Sequence, residues 1–291
     1  MRGTAAAVFL FMCAAVVVRA ATDTRETILW PVHDFPPSNI LTGPDKGKGS
    51  ADRRRDGLIR RLPQFHHQTF EASTSRSLDM LKTRPNVCMV GVLKTPERQV
   101  FMAFSTRPFQ TLSNGVITTR KRLELFNLYF NERRELRLDQ LLAEGRHRVG
   151  IISGRSFGAE IDALLKKHAG QPSIFVVPSS DHFSSRLLKL SNQNEFDAIL
   201  GYPFELRYLT RQLGLNEQDF ALLPIAGIAP LQQSFVACSK TEHGKRIVEA
   251  IDQALADGSA KREFEAAYSV WLDEETAARY DRLLKRSNPD G

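Results

Sequence analysis

Two short segments hold residue types that could do chemistry. In LKTPERQVFMAFSTRPF (Leu93 to Phe109) a single arginine, Arg98, follows the apolar run CMVGV and precedes a second one, Val100 to Phe104. A guanidinium at a strand end can aim its rigid fork into a cleft and bind both oxygens of a carboxylate at once. In SGRSFG (Ser153 to Gly158) a strand pattern turns into a helix pattern. Exposed backbone amides and the helix dipole there would favour an anion, and the Ser156 hydroxyl could cap the helix or donate to a ligand. The same segment fits G-x-S-x-G, the turn that presents the nucleophile of α/β-hydrolases. On that alternative Ser156 is the nucleophile, Asp197 or Asp219 the orienting acid and His243 the base. Two features oppose it: no His-Gly-Gly loop precedes the motif, and His243 starts a helix pattern where a catalytic histidine would ride a loop. The expectation is a binding protein and not an enzyme.

Elements of two kinds must position these residues. Strand and helix patterns alternate through most of the chain, which argues for an α/β architecture with mostly parallel sheets. Thr27 to Val32 reads as the first strand; a Pro- and Gly-rich loop leads to a helix around Ala51 to Leu62 that Pro63 stops. That loop fails the phosphate-loop spacing, because no Gly-Lys-Ser/Thr stands at the required distance from a leading Gly. Further on, Leu138 to Leu142 is a short helix, Arg148 to Ile152 a strand, Ala159 to His168 a helix and Ser173 to Val177 a strand. A helix from Ser184 to Leu190 and a strand from Phe196 to Leu200 follow. After Ser234 to Ala237 a helix begins at Thr241, a suitable N-cap, with Ile247, Val248, Ile251 and Leu255 at helical spacing.

The order Thr95, Pro96, Glu97, Arg98, then Phe104-Ser105 and Pro108-Phe109, resembles the T-x-x-R…F-S-x-P-Y block of bacterial extracellular solute-binding proteins of the polar-amino-acid type, family 3. The blocks LDQLLAEGRHRVGIISG, FDAIL, FVACSK and ADGSAKREFEAAYSVWL continue in the order that family expects, over about 240 residues, so that the chain resembles a less-characterised branch of it. The resemblance implies a type II periplasmic-binding-protein-like fold: two α/β lobes joined by two crossing strands, closing over a ligand like a hinge. Lobe one would comprise residues 22–112 and 229–291, lobe two 113–228, with crossings near Gln110 to Ile117 and Pro224 to Leu231. It implies that Arg98 grips the ligand's carboxylate and that Ser156 holds its other side. Phe35 would be an aromatic wall, and Lys94, Phe104 and Ser105 would complete the first-lobe lining. Family members that bind α-amino acids carry a second Asp after the last strand of lobe two, which holds the ammonium. Here Tyr202 stands in its place, without charge at neutral pH. Glu205 could substitute but reads more readily as a solvent-facing helix acid, so the expected ligand is a carboxylate or other small anion more firmly than an amino acid. Partners would be that solute and an inner-membrane ABC transporter or sensor, with the protein itself a monomer.

Composition is consistent with export. Residues 1–21 combine Arg2, an apolar core from Ala5 to Val18 and a small-x-small exit, the pattern of a cleaved signal peptide and hence of a periplasmic protein. Cleavage removes Arg2 and Arg19 and takes 40 basic residues to 38 against 33 acids, a net charge of +5. Basic clusters at Arg53 to Arg55, Arg60-Arg61 and Arg120 to Arg122 are flanked by acids and read as solvated faces, with no aromatic-interleaved stripe for nucleic acid. His66-His67 and the isolated histidines lack metal-ligand spacing, so neither a metal nor a cofactor is expected. Cys88 and Cys238 sit in strand-like runs; a disulfide and two buried thiols are both open.

Overall fold

The computed structural model describes residues 25–177, 187, 189–190 and 195–287. The expected signal peptide and most of the helix expected at Ser184 to Leu190 lie outside these residues. The chain forms two α/β lobes, each built on its own sheet.

Lobe one starts with β1 (Thr27–Val32), whose burial on nearly every residue matches a strand covered on both faces. It pairs in parallel with β2 (His66–Glu71), and a parallel bridge from Leu29 to Val87 joins this pair to β3 (Cys88–Val92). β3 and β4 (Met102–Phe104) flank the long β11 (Leu231–Ser239), antiparallel to both; β5 (Phe109–Leu112) pairs with the first half of β11. The centre of this sheet is therefore supplied by a strand near the C-terminus. Cys88 and Cys238 face each other across β3 and β11 and form a disulfide, which resolves the two open readings.

Helices α1 (Ser50–Arg61), α2 (Thr74–Thr83) and the short α3 (Pro96–Gln99) connect the early strands. α1 corrects one reading of the sequence. Arg54 and Arg55 are not on a solvated face: they are 3% and 8% exposed. The Arg54 guanidinium lies over the Phe109 ring at 4.7 Å and donates to the Phe264 carbonyl, while Arg55 pairs with Asp52 at 3.1 Å. Packing of α1 against a C-terminal helix encloses the arginine stems, and burial lowers the Arg54 pKa to about 10. Arg60 and Arg61 both pair with Glu263.

Lobe two is contiguous. β6 (Gly115–Thr119) leads through 3₁₀ turns at Arg120–Tyr129 to α4 (Leu138–Glu144), β7 (Val149–Ile152), α5 (Ala159–Lys167) and β8 (Ile174–Val177). After the undescribed residues come β9 (Ala198–Gly201), α6 (Pro203–Gln212) and β10 (Phe220–Leu223). The sheet order is β10-β6-β9-β7-β8; β7, β8 and β9 run parallel, and β6 is antiparallel to both its neighbours. Parallel pairing thus holds for β1, β2 and β3 in lobe one and for β7, β8 and β9 in lobe two, while β11 and β6 run antiparallel to their neighbours.

The chain closes with α7 (Glu242–Ala254), α8 (Gly258–Ser269) and α9 (Glu274–Ser287). Thr241 caps α7, its hydroxyl accepting from the Gly244 amide at 3.0 Å. Between the lobes an aromatic cluster joins Tyr202 and Phe204 of lobe two to Tyr268 and Tyr280 of α8 and α9. The two crossings meet there as well. Asn114 and Gln232, one from each crossing, hydrogen-bond to each other at 3.2 Å and both donate to the Phe157 carbonyl. Gly158, next to it, has φ +109, and a side chain there would run into Gln232.

Candidate functional site

A cavity of about 620 Å³ lies between the lobes. Its chemistry comes from residues that follow the carboxyl ends of parallel strands: His33, Asp34 and Phe35 after β1, Arg98 after β3, Arg155 and Ser156 after β7, and Tyr202 and Glu205 after β9. Open α/β sheets bind ligands at this edge, because the loops there are free to vary while the strands fix where they start.

On the lobe-one wall, Thr95 caps α3 and so directs the chain that carries Arg98; its hydroxyl accepts from the Arg98 amide at 3.4 Å. Among the described residues the Arg98 guanidinium makes one protein hydrogen bond, Nη1 to the Leu93 carbonyl at 3.1 Å. Burial lowers its pKa, and Asp162 across the cleft partly offsets this. His33 beside it stacks on Phe35, and its ring Nδ1 is buried without a hydrogen-bond partner among the described residues. Burial lowers the His33 pKa to about 4, assisted by the positive charge of Arg155 and, more weakly, of Arg98; Asp34 opposes them. The ring is neutral at pH 7, and its Nδ1 is closed off from solvent.

The charged side chains of the lobe-two wall are paired from within. Ser156 Oγ donates to Asp162 Oδ2 at 2.5 Å, and the Phe157 amide donates to Asp162 Oδ1 at 2.8 Å. The negative group expected at this helix start is therefore supplied by α5 itself; the amides of Gly154 and Ser156 find no protein acceptor among the described residues. Glu205 corrects the sequence reading: it is no solvent-facing acid but 0% exposed. Its two oxygens accept from Arg155 Nη1 and Nη2 at 2.8 and 2.6 Å, and it also accepts from the Tyr202 amide at 3.0 Å. Burial would lower the Arg155 pKa, but the Glu205 charge outweighs it and the pKa is raised. The Tyr202 phenol, pushed up to about 12 by burial, hydrogen-bonds Gln232 Oε1 at 2.7 Å.

Of the residues singled out in the sequence, Arg98, Ser156, Tyr202 and Phe35 line the cavity. Lys94, Phe104 and Ser105 lie outside its lining. Lys94 is exposed, with its Nζ 5.8 Å from the Phe104 ring centre, and Phe104 packs edge-on against Phe235. Ser105 is buried against β11, where its hydroxyl accepts from the Val236 amide and donates to the Arg107 carbonyl. Phe104 ends β4 and Ser105 follows it, on the far side of β11 from β3, while Lys94 follows β3 but carries its ammonium to the Phe104 and Phe235 rings. Residues of the hydrolase alternative have other partners: Ser156 donates to Asp162, Asp197 accepts from the Arg148 amide, and His243 lies 3.3 Å from Glu26 on lobe one. His33, Arg155 and Glu205 were missed as a set. His33 could have been found from its place directly after a buried strand, and Arg155 from its place inside the turn.

No protein-family model and no curated protein matches the chain by sequence. Solved structures match it by shape. A mutant of the arginine-binding protein ArgBP from T. maritima superposes with a TM-score of 0.61 at 16% identity, over 84% of this chain and 94% of that one. A putative L-cystine ABC transporter protein from Listeria monocytogenes does so with 0.64 at 14%, over 86% and 97%. A histidine kinase sensor domain with similarity to periplasmic binding proteins gives 0.64 at 13%, over 86% and 98%. The chain has the two-lobed α/β fold shared by amino acid ABC transporter substrate-binding proteins and a sensor domain built like them.

Proposed function

We propose that this protein is a solute-binding protein that captures a small carboxylate-bearing solute, an amino acid or related anion, between its lobes. It would work in the periplasm, as a monomer, for an ABC transporter or a membrane sensor. The lobes would divide at residues 112/113 and 228/229. The single observation that carries this reading is Arg98: a half-buried guanidinium on the cavity wall with one protein hydrogen bond among the described residues. Its remaining donors suit a carboxylate. On the opposite wall, the free amides beside Ser156 add donors to the same solute, and Phe35 and Tyr202 border it.

A thermal-shift panel on the ligand-stripped mature protein tests this, using amino acids, dicarboxylates, sugar acids and short peptides. A true ligand at ~100 times its dissociation constant adds about 2.7 kcal/mol and raises Tm visibly. The Arg98→Ala protein should lose half or more of that shift. An undiminished shift in Arg98→Ala would remove Arg98 from the site, and silence over the whole panel would count against a small-carboxylate ligand.

A further inference from the structure

The Arg155 guanidinium is held the way a cationic ligand would be. It lies 4.7 Å from the centre of the Phe35 ring, 5.0 Å from Phe157 and 5.3 Å from Tyr202, and both Glu205 oxygens bind its two terminal nitrogens. Aromatic faces and a bidentate carboxylate are the groups that recognise a guanidinium or an ammonium. This box opens on the inter-lobe cavity, since Phe35, Arg155, Tyr202 and Glu205 all line it, and one of its walls, Phe35, comes from the other lobe. An ion pair needed only to hold α6 against β7 would not require an aromatic face from the opposite side of the cleft.

We propose that Arg155 is a resident ligand group: its side chain fills a cation subsite of the cleft from within and excludes solutes whose own guanidinium or ammonium would sit there. The proposal rests on the reading of the cavity as a ligand site and sets its specificity. Glu205, with both oxygens engaged by Arg155, one also by the Tyr202 amide, and 0% exposed, presents no oxygen to a solute cation while Arg155 is in place. Arg155 is thus a specificity-determining residue. Shortening it would leave a vacant box, lined by three rings and ending in a carboxylate, that is shaped for a guanidinium.

The test uses methylguanidinium and 4-guanidinobutanoate on the full mature chain, wild type and Arg155→Ala. Methylguanidinium at about 20 mM should raise the Tm of Arg155→Ala by about 3 °C and leave the wild type unshifted or slightly lowered. Adding Glu205→Gln to the variant should abolish the response. A folded Arg155→Ala protein that ignores methylguanidinium, or a response that persists in the double variant, overturns the proposal. Should Arg155→Ala fold only poorly, its refolding yield against methylguanidinium concentration replaces Tm: a rising yield supports the subsite and a flat one overturns it. 4-Guanidinobutanoate separates this from the carboxylate reading, because it adds a carboxylate for Arg98, which lines the same cavity, to grip. If it binds Arg155→Ala about tenfold tighter than methylguanidinium, both stand. Equal affinities support the filled subsite and count against Arg98 as the carboxylate grip.

Discussion

The two walls of the cleft are built from similar parts and left in opposite states. Each has an arginine after a parallel strand, an aromatic residue and a carboxylate nearby. On lobe two every charge has been neutralised by the protein itself: Arg155 by Glu205, and the start of α5 by Asp162. On lobe one, Arg98 has a single carbonyl partner among the described residues and the buried His33 Nδ1 has none. Removing a charged group from water is favourable only when something replaces the water. The lobe-two wall carries its replacement permanently, whereas the lobe-one wall leaves that role to whatever enters. On the proposed reading, a solute would be held mainly by lobe one, with the Gly154 and Ser156 amides as the donors that lobe two leaves open among the described residues.

The largest effect that would break this contrast is expected at Glu205. Glu205→Ala strands a buried guanidinium and should cost about 3–5 kcal/mol in urea unfolding, whereas Arg98→Ala should change stability by less than about 1 kcal/mol. Similar losses in the two variants would mean the walls do not differ.

Next comes pH. His33 has a folded pKa of about 4 against an ordinary 6.5, so the unfolded chain takes up a proton before the native one does. The contribution is complete above about pH 6.5 and is lost as pH falls towards 4, to a total of at most ~3 kcal/mol. The denaturant midpoint of the wild type should fall relative to that of His33→Gln as pH drops through that window, and parallel curves would show that the ring titrates normally.

Arg98→Ala should weaken solute binding by about 10–100-fold, the range of one charge-assisted hydrogen bond, as measured by isothermal titration. Smallest is Ser156→Ala, which removes a hydrogen bond internal to lobe two and should cost about 1 kcal/mol of stability. If it instead lowered solute affinity more than Arg98→Ala, the recognising wall would be lobe two.

Much of the fold was legible in the sequence because its elements are local. β1 falls on the expected residues, and α4, α5 and β8 fall within a few residues of theirs, each with a clear apolar period and a Gly or Pro stop. Arg98 was legible for the same reason, as an isolated cation after an apolar strand. The parts that escaped depend on tertiary neighbours. Nothing at Glu205 announces that Arg155, fifty residues earlier, will cover it. Nothing in the Arg53 to Arg55 run distinguishes an exposed arginine from Arg54, which rests on the Phe109 ring. Ser105 and Phe104 looked like cleft residues because their motif adjoins Arg98, yet one strand in between turns them towards β11.

The position of β11 bears on how the protein is made. β3 and β4 have β11 as their common neighbour, and Cys238 becomes available to Cys88 only after 150 further residues. Lobe two, with all five of its strands between residues 115 and 223, can complete its sheet while the other half of the molecule still lacks its middle strand. The wall that bears Arg98 therefore matures after lobe two, once β11 has been made. A chain cut before Leu231 is expected to keep a protease-resistant core from lobe two and none from lobe one; resistant fragments spanning Cys88 to Val92 would contradict that order.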